Sequence, residues 1–189
     1  TISEVAKKVT EYKNSPSKTA PSPFPLPACP WCGSELNRDS LTVSPTPSRP
    51  KEVTVGCTDF RCDFALSKNR EGLPVLFVDE QVYRELPSFI VATVDKFAML
   101  PWRGETGMLF GRVHGRTGKG FFGPLDGKQK VEQALPGGLL PPELIVQDEL
   151  HLIAGPLGTM VGLYETAIEA LCTKEGGDNE ISVPVRATA

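Results

Sequence analysis

Four cysteines constrain the fold of this chain more than any other feature of its sequence. Cys29 and Cys32 form a Cys-x2-Cys pair, and Cys57 and Cys62 form a Cys-x4-Cys pair after a gap of 24 residues. A Cys-x2-Cys turn directs two thiolates toward one point, and Gly33 permits the positive φ that such a turn uses. If the chain between the pairs folds back as a hairpin, four thiolates surround one ion and leave no open position. The spacing therefore predicts a structural zinc ribbon.

Other uses of these cysteines stay open at this point. Cys172 makes the count odd, and no secretory leader opens the chain, so a disulfide framework is not expected. One alternative is that the four cysteines are unrelated reduced thiols. Another is that they serve a redox or iron–sulfur role. Trp31, Arg61 and Phe64 suggest a nucleic-acid contact surface, although an aromatic side chain beside a metal site more often packs under it.

Composition and length place limits on the function. The net charge of the 189 residues is -3, so any contact with nucleic acid must be local. No apolar run approaches the ~20 residues that are needed to cross a bilayer, which predicts a cytoplasmic protein without a membrane partner. The chain begins at Thr1 rather than Met and ends at Ala189 without the character of a tail. We therefore expect it to be a fragment of a longer protein.

The sequence divides into three regions that differ in composition and in hydrophobic pattern. Residues 1–27 predict a short helix to about residue 14, followed by a linker that carries five prolines. Residues 28–70 contain the cysteine pairs and are predicted to form the zinc ribbon. From residue 71 to 189 apolar runs alternate with helical patterns, which indicates an α/β domain with a parallel sheet.

The predicted elements of this α/β region follow from its hydrophobic runs. Buried strands are expected at 73–78, 89–93, 144–146 and 181–185, and helices at 80–86, 95–100 and about 159–172. Residues 101–142 interrupt the alternation, with ten glycines between Gly104 and Gly138. A segment of this length and composition predicts a functional or mobile loop.

Two acidic pairs follow apolar runs. Hydrolysis of a nucleoside triphosphate uses an Asp that holds Mg²⁺ and a Glu that orients water, at the carboxyl end of a buried strand. Asp79-Glu80 and Asp148-Glu149 both fit this pattern, and each alone is equally well a strand that runs into an acidic helix start. The second pair continues to His151, which completes an Asp-Glu-x-His sequence.

Two further motifs flank the second acidic pair in order. Upstream, an apolar run leads into Thr93, Asp95 and Lys96, which open a helix and are candidates for contact with a nucleic-acid backbone. Asp95 is alternatively an ordinary N-cap. Downstream, Thr188 is the candidate first residue of a Ser/Thr-Ala-Thr motif, although the register with Ala187 is open.

In this order the motifs resemble those of superfamily-2 (DEAD/DEAH-like) helicases, and the chain is similar to the large helicase of bacterial DISARM anti-phage defence systems. The stretches that carry the resemblance are 73–83, 93–98, 141–153, 155–158 and 162–165. The resemblance implies an α/β fold in which part of a RecA-like parallel-sheet motor domain carries an inserted zinc ribbon. It also implies a cytosolic, ATP-dependent DNA helicase or translocase that acts with other defence-system proteins.

The resemblance also assigns roles to residues. Asp148 is then the carboxylate linked to Mg²⁺, Glu149 orients the attacking water, and His151 and Thr188 couple nucleotide hydrolysis to DNA movement. The phosphate-binding loop of such enzymes, Gly-x4-Gly-Lys-Ser/Thr, has no match here, because Gly118-Lys119-Gly120 lacks the hydroxyl residue and lies between the other motifs. We therefore expect this loop upstream of Thr1, and expect the fragment alone to be inactive toward ATP.

The glycine-rich segment combines cations with aromatic rings. Arg112, Arg116 and Lys119 are candidates for contact with DNA phosphates, and Trp102 and several phenylalanines could stack on bases. The alternative is a flexible surface loop whose rings pack onto the sheet.

Two other classes of function remain. One is a zinc-ribbon module that binds nucleic acid or protein and has no ATPase activity. The other is a metal-dependent nuclease that uses the acidic side chains Asp79, Glu80, Asp148 and Glu149.

Overall fold

The computed structural model of the protein describes residues 1–17, 20–93, 96, 99, 102–118, 120–127, 129–147, 166–174, 181–182 and 186–188. The chain divides into two compact units, Thr1–Val82 and Tyr83–Ala189. Over the described residues the fold is mixed α/β, with short helices and small, mostly antiparallel sheets. No helix in these ranges is both long and apolar enough to cross a membrane.

The first helix, α1 (Ile2–Asn14), confirms the helix that was predicted at the start of the chain. Thr1 caps it, because the Thr1 hydroxyl accepts from the Glu4 amide and the Glu4 side chain accepts in turn from the amino terminus at 2.8 Å. The helix buries Ala6 and Val9, and Val9 belongs to the core of the first unit. It therefore packs as part of this unit.

A β-hairpin lies between the two cysteine pairs. Strands β1 (Leu41–Thr46) and β2 (Arg49–Val55) pair in antiparallel register, with Leu41 opposite Val55. The alternation of side chains along β2 buries Val53 and Val55 and leaves their neighbours more exposed. The strand-like pattern of residues 51–55 is thus confirmed, and so is the predicted return of the chain between the cysteine pairs.

The proline-rich segment is irregular where the structure describes it, as predicted, but one of its side chains is anchored. Phe24 is buried, and its ring lies 5.0 Å from that of Phe77 in an edge-to-face arrangement. Arg38 also binds the start of the segment, because its guanidinium donates to the carbonyl of Ser15 at 2.6 Å and to that of Ser17. The segment therefore contributes to the core of the first unit.

Helix α2 (Asp79–Glu85) agrees with the predicted helix to within one residue. Asp79 and Glu80 occupy its first turn, where carboxylates interact favourably with the helix dipole. In the first unit, the buried side chain of Gln81 accepts a hydrogen bond from the amide of Val53 at 3.0 Å. The amide group of Gln81 thereby satisfies a backbone donor of strand β2.

In the second unit the glycine-rich segment is folded. It contains the short helix α3 (Thr106–Leu109) and the strands β3 (Gly115–Thr117), β4 (Gly120–Phe122) and β5 (Gln133–Ala134), with β3 between the other two. Met108, Phe110 and Val113 are buried. The segment is therefore folded where the structure describes it, in contrast to the mobile loop that was expected, and a functional role for it stays a prediction.

Close approaches of the backbone explain several of these glycines. Gly111 has φ +80°, and a Cβ atom there would collide with the carbonyl oxygen of Leu139. A Cβ atom on Gly138, with φ +64°, would collide in turn with the carbonyl of Gly111. The amide of Leu139 donates to that same Gly111 carbonyl at 2.9 Å. Glycine is needed here for packing between chain segments, which a high glycine count alone does not distinguish from mobility.

Arg84 fastens the small sheet of the second unit. Its guanidinium donates to both carboxylate oxygens of Asp126, at 2.7 and 3.2 Å, and to the carbonyl of Phe121 at 2.6 Å. It also lies 4.5 Å from the ring centroid of Phe122. Asp126 accepts from the amide of Gly123 at 2.7 Å, so the carboxylate joins Arg84 to the turn after β4.

The remaining described strands are short. Strand β6 (Ile145–Gln147) pairs in parallel with β9 (Arg186–Thr188), whereas β7 (Thr173–Lys174) and β8 (Ile181–Ser182) are antiparallel. Residues 166–172 are helical, in agreement with the C-terminal part of the helix predicted at 159–172. The strand predicted at 144–146 is present, shifted by one residue, but it is not buried as predicted, because Leu144 is 56% and Val146 58% exposed over the described structure. Most of the strand predicted at 181–185 lies outside the described residues.

Two predicted strands are absent. Residues 73–78 and 89–93 are irregular, and neither forms a β-ladder with another described segment. The amide of Leu73 donates one hydrogen bond to the carbonyl of Val55, at 2.6 Å. In the first segment Leu73 and Val78 are buried through irregular packing; in the second Phe89 is 83% exposed. An apolar run indicates that a segment tends to be buried. It becomes a strand only where a neighbouring segment provides backbone hydrogen-bond partners. A RecA-like parallel sheet is not present among the described residues.

Gly72 provides a test of the first unit. Its φ is +67°, and a Cβ atom there would collide with the Val55 carbonyl oxygen, whereas at Gly33, with φ +77°, no atom lies within 4 Å of the added carbon. We expect Gly72→Ala to lower the free energy of unfolding by roughly 2–4 kcal/mol and Gly33→Ala by only about 1 kcal/mol. Urea unfolding of the two variants measures the difference. Equal losses would contradict the proposed collision.

Asp126 provides a test of the second unit. The hydrogen bonds from Arg84 hold the pKa of its carboxyl below the usual value. Stabilisation by a depressed carboxyl is present above the unfolded pKa, about 4, and is lost as the pH falls through the lower folded value. We expect Asp126→Asn to lower the free energy of unfolding by about 1–2 kcal/mol at pH 7; the loss is limited because Arg84 is partly exposed. Below pH 3 the loss should be smaller, because Asp126 is then increasingly protonated.

The control for this test is Glu143→Gln, which removes an exposed carboxyl from the same unit. Unfolding followed at pH 3 and pH 7 should show little change for this variant. A loss of stability by Asp126→Asn that is the same at both pH values would argue against the ion pair as its cause.

Candidate metal centre

The first cysteine pair lies on a tight turn. Ala28 and Glu35 form an isolated antiparallel bridge, and the amide of Cys29 donates to the carbonyl of Ser34 at 2.8 Å. The amide of Gly33 donates back to the Cys29 carbonyl at 2.9 Å, and Gly33 adopts φ +77°. Gly33 therefore has the positive φ that the sequence predicted, and the turn places Cys29 and Cys32 on the same side.

The second cysteine pair lies on a wider turn with its own hydrogen bonds. The amide of Cys57 donates to the carbonyl of Phe64 at 2.9 Å, and the amide of Cys62 donates to that of Asp59 at 3.0 Å. The amide of Asp59 also points at the sulfur of Cys57, 3.4 Å away. The four residues between the two cysteines thus form a closed turn, which explains how an x4 spacing still brings both thiols together.

The β1–β2 hairpin brings the two turns together. The sulfur atoms of all four cysteines lie within 4.8 Å of one another. Cys32 and Cys57 are 3.5 Å apart at their sulfurs, and Cys29 and Cys62 are 4.0 Å apart. A tetrahedral ion with Zn–S bonds of about 2.3 Å separates its sulfurs by about 3.8 Å.

The donor set and the distances fit one metal ion. An iron–sulfur cluster would hold the thiolates farther apart, because its cysteines bind different iron atoms. Four thiolates without an open position suit zinc in a structural role. The described geometry therefore favours a site for one metal ion over a cluster of several, and the four cysteines could hold a zinc ion.

The four ligands differ in their environment. Cys29, Cys57 and Cys62 are buried, whereas Cys32 is exposed. Hydrogen bonds from the hydroxyl and the amide of Ser34 lower the pKa of Cys32 to about 6, and burial raises the pKa of Cys57 to about 12. Burial also raises the pKa of Cys62. Without metal, Cys32 would therefore ionise more readily than Cys57 and Cys62, and a metal ion would displace protons from those two thiols.

The predicted residues of an ATP site are described only in part. Asp148, Glu149 and His151 lie outside the described residues, as do Asp95 and Lys119.

Thr188 is the last residue of β9 and pairs with Gln147 of β6, the residue that precedes Asp148. The ends of these two strands are thus adjacent in one parallel pair.

The remaining predicted contact residues are on the surface. Thr93 and Lys96 are exposed, and the amide of Lys96 donates to the carbonyl of Thr93 at 3.0 Å. Arg112 and Arg116 are also exposed, and Arg116 lies on strand β3. Their solvent access is compatible with binding to DNA, which stays a prediction.

A second metal centre is not found in the described part of the chain. Apart from the four cysteines, no three side chains of His, Cys, Asp or Glu lie close enough there to hold an ion. Asp79 and Glu80 form the acidic first turn of α2, which is the structural alternative that the sequence left open for them. Their use with Asp148 and Glu149 in a nuclease remains untested.

The metal centre leads to a direct prediction. Protein purified without added zinc should carry about one equivalent per chain, and less than half an equivalent would contradict the site. We expect Cys62→Ser to lose most of the metal under mild chelation, because a buried ligand is removed. Cys172→Ser is the matched control, since Cys172 is also buried but lies outside the cluster. Elemental analysis and thermal unfolding with and without chelator provide the measurements.

Comparison with known proteins gives one informative similarity. No family model matches this chain. A curated protein of Bacillus paralicheniformis, the DISARM protein DrmA, is 39% identical to it over 159 residues. The alignment covers 80% of this chain but only 14% of the Bacillus protein. The chain is therefore similar, over most of its length, to a short part of a much longer DISARM protein.

Proposed function

We propose that this chain is part of an ATP-dependent DNA helicase or translocase of phage defence, and that its four-cysteine module holds a structural zinc ion. The observation that carries the proposal is the 39% identity with the DISARM protein DrmA, which suggests a role in phage defence. Partnership with other proteins of such a system follows from the same similarity. We further propose a cytoplasmic location and a division into the segments 1–27, 28–70 and 71–189, of which the last is part of a RecA-like domain whose sheet is completed by other parts of the longer protein.

The parallel pair of β6 and β9 supports the hydrolytic part of the proposal. In parallel sheets, ligands gather at the carboxyl ends of the strands. Gln147 and Thr188 pair at this end, so the chain enters the Asp-Glu-x-His sequence beside the end of the strand that carries Thr188. In this proposal Asp148 holds Mg²⁺ and Glu149 orients water, while His151 and Thr188 respond to the state of the nucleotide.

The phosphates of ATP would be held by residues outside this chain. ATP with Mg²⁺ supplies the phosphoryl group and the charge neutralisation on which the reaction depends. The residues of this chain position one carboxylate for the ion and one for the proton of the attacking water. Thr93, Asp95 and Lys96 are proposed to contact the DNA backbone, together with Arg112, Arg116 and Lys119 of the glycine-rich segment.

The test uses the full-length protein to which this chain belongs. Glu149→Gln should lower DNA-stimulated ATP hydrolysis at least about 100-fold, because the base that orients water is lost while the nucleotide still binds. The matched control is Glu80→Gln, which changes the other Asp-Glu pair and should leave the rate within about twofold. ATP hydrolysis with and without single-stranded DNA measures both effects.

Two outcomes would contradict the motor. If Glu149→Gln retains full activity, Glu149 is not the water-orienting residue. If the wild-type protein binds DNA but never hydrolyses ATP, the second candidate is favoured, a zinc-ribbon module for nucleic acid or protein. That candidate rests on the four-cysteine cluster, which is complete within the described residues.

A further inference from the structure

Each turn of the metal centre carries one exposed aromatic ring. Trp31 lies between Cys29 and Cys32 and is 65% exposed, and Phe60 lies between Cys57 and Cys62 and is 73% exposed. An aromatic residue that stabilises a metal site by packing under it is buried. Phe64, which is half-buried beside the core, fits that role. The exposed surfaces of Trp31 and Phe60 do not pack against other described residues of the chain.

One ring has an aromatic packing partner, and the other lies on a hydrogen-bonded turn. The indole of Trp31 meets the ring of Phe64 edge to face, with the centroids 5.5 Å apart. Phe60 lies on the closed turn that the amides of Asp59 and Cys62 stabilise. The sulfurs of the cysteines on both turns lie within 4.8 Å of one another, so the two turns that carry the rings are neighbours. A metal ion bound to the four thiolates would link these turns, which would reduce the entropy lost when a ligand stacks on the rings.

Cationic groups adjoin the second ring. The guanidinium of Arg61 lies 5.9 Å from the centroid of Phe60 and is bonded to the carboxylate of Asp59 at 3.2 Å through two nitrogens. The ammonium of Lys68 donates to the carbonyl of Arg61 at 2.9 Å. Both cationic side chains are exposed, so they lie where a phosphate beside a stacked base could approach.

The charge of this surface is nearly balanced. Residues 57–70 contain three basic and two acidic side chains, and a divalent ion with four thiolates adds two negative charges. Attraction to phosphates alone therefore cannot provide binding. Stacking must supply most of the affinity, and it requires bases that are accessible, which a duplex does not offer. A protein partner is less favoured, because exposed Thr58 and Asp63 flank the cysteines of the second turn and interrupt its apolar surface.

We propose that Trp31 and Phe60 form a stacking surface for the bases of single-stranded DNA on the four-cysteine module. The choice of DNA over RNA rests on the proposed function of the longer protein. The proposal that bases stack on the two rings does not depend on that function. Phe60 was not singled out by the sequence, because exposure on a rigid turn is visible only in three dimensions.

The experiment uses the zinc-loaded 189-residue chain with the substitution Trp102→Phe. Trp31 is then the only tryptophan, because the sequence contains two. Titration with oligothymidylate should quench the fluorescence of Trp31 along a saturable curve. Phe60→Ala should weaken binding about 10-fold, since one stacking partner is lost, whereas Phe60→Tyr should retain it.

Charge is tested separately from stacking. Arg61→Ala should weaken binding a few-fold, while Arg49→Ala should not, because Arg49 lies at the far end of the β1–β2 hairpin from Cys57. The affinity should depend only weakly on salt concentration, in contrast to binding that is dominated by phosphates. Zinc content is measured for each variant, so that a loss of the fold is recognised.

Several results would overturn the stacking surface. They are the absence of quenching, an affinity unchanged by Phe60→Ala, and equal binding of duplex DNA. Trp31→Ala that leaves DNA binding intact but abolishes association with another protein of the defence system would instead assign the surface to a protein. Tighter binding of oligouridylate than of oligothymidylate would overturn the choice of DNA.

The outcome is independent of the ATPase test. Glu149→Gln should leave the quenching of Trp31 unchanged. Quenching in the 189-residue chain, combined with the absence of ATP hydrolysis by the full-length protein, would refute the motor and retain the stacking surface.

Discussion

The first unit depends on the convergence of four thiol groups that come from two distant turns. The β1–β2 hairpin spans the interval between them, and its inner residues Leu41, Val53 and Val55 share one core with the buried cysteines. Helix α1 adds Val9 to the same core, and Phe24 adds the proline-rich segment. Because a small unit buries little apolar surface, an ion that links both ends of the hairpin would supply much of its stability.

Local patterns in the sequence predicted the elements that have local causes. The helix at the start follows from its capping box and helical periodicity, and the cysteine turns follow from their spacing and from Gly33. Strand β2 alternates along its length, and strand β6 is a short apolar run. In each case the signal lies within about a dozen residues, so the rest of the fold cannot easily override it.

Features that depend on distant partners could not be predicted in this way. The ion pair of Arg84 with Asp126 joins residues that lie far apart in sequence, and no local pattern marks either residue. Gly111 was counted as a sign of mobility, yet its conformation is fixed by the approach of Leu139. The run at 89–93 lacks a neighbouring strand in the described structure, and without a ladder its apolar side chains remain exposed. Most residues of the predicted ATP site lie outside the described residues. Thr188 is described, and it pairs with Gln147.

Because only one of its four cysteines is exposed, the metal centre is open to solvent on one side. Three of the thiols are enclosed by the core, so an ion bound there would meet solvent only beside Cys32. Competing thiols and chelators would therefore first reach an ion held by these four residues at Cys32. The rate at which the metal is exchanged would then depend on access to that one thiol.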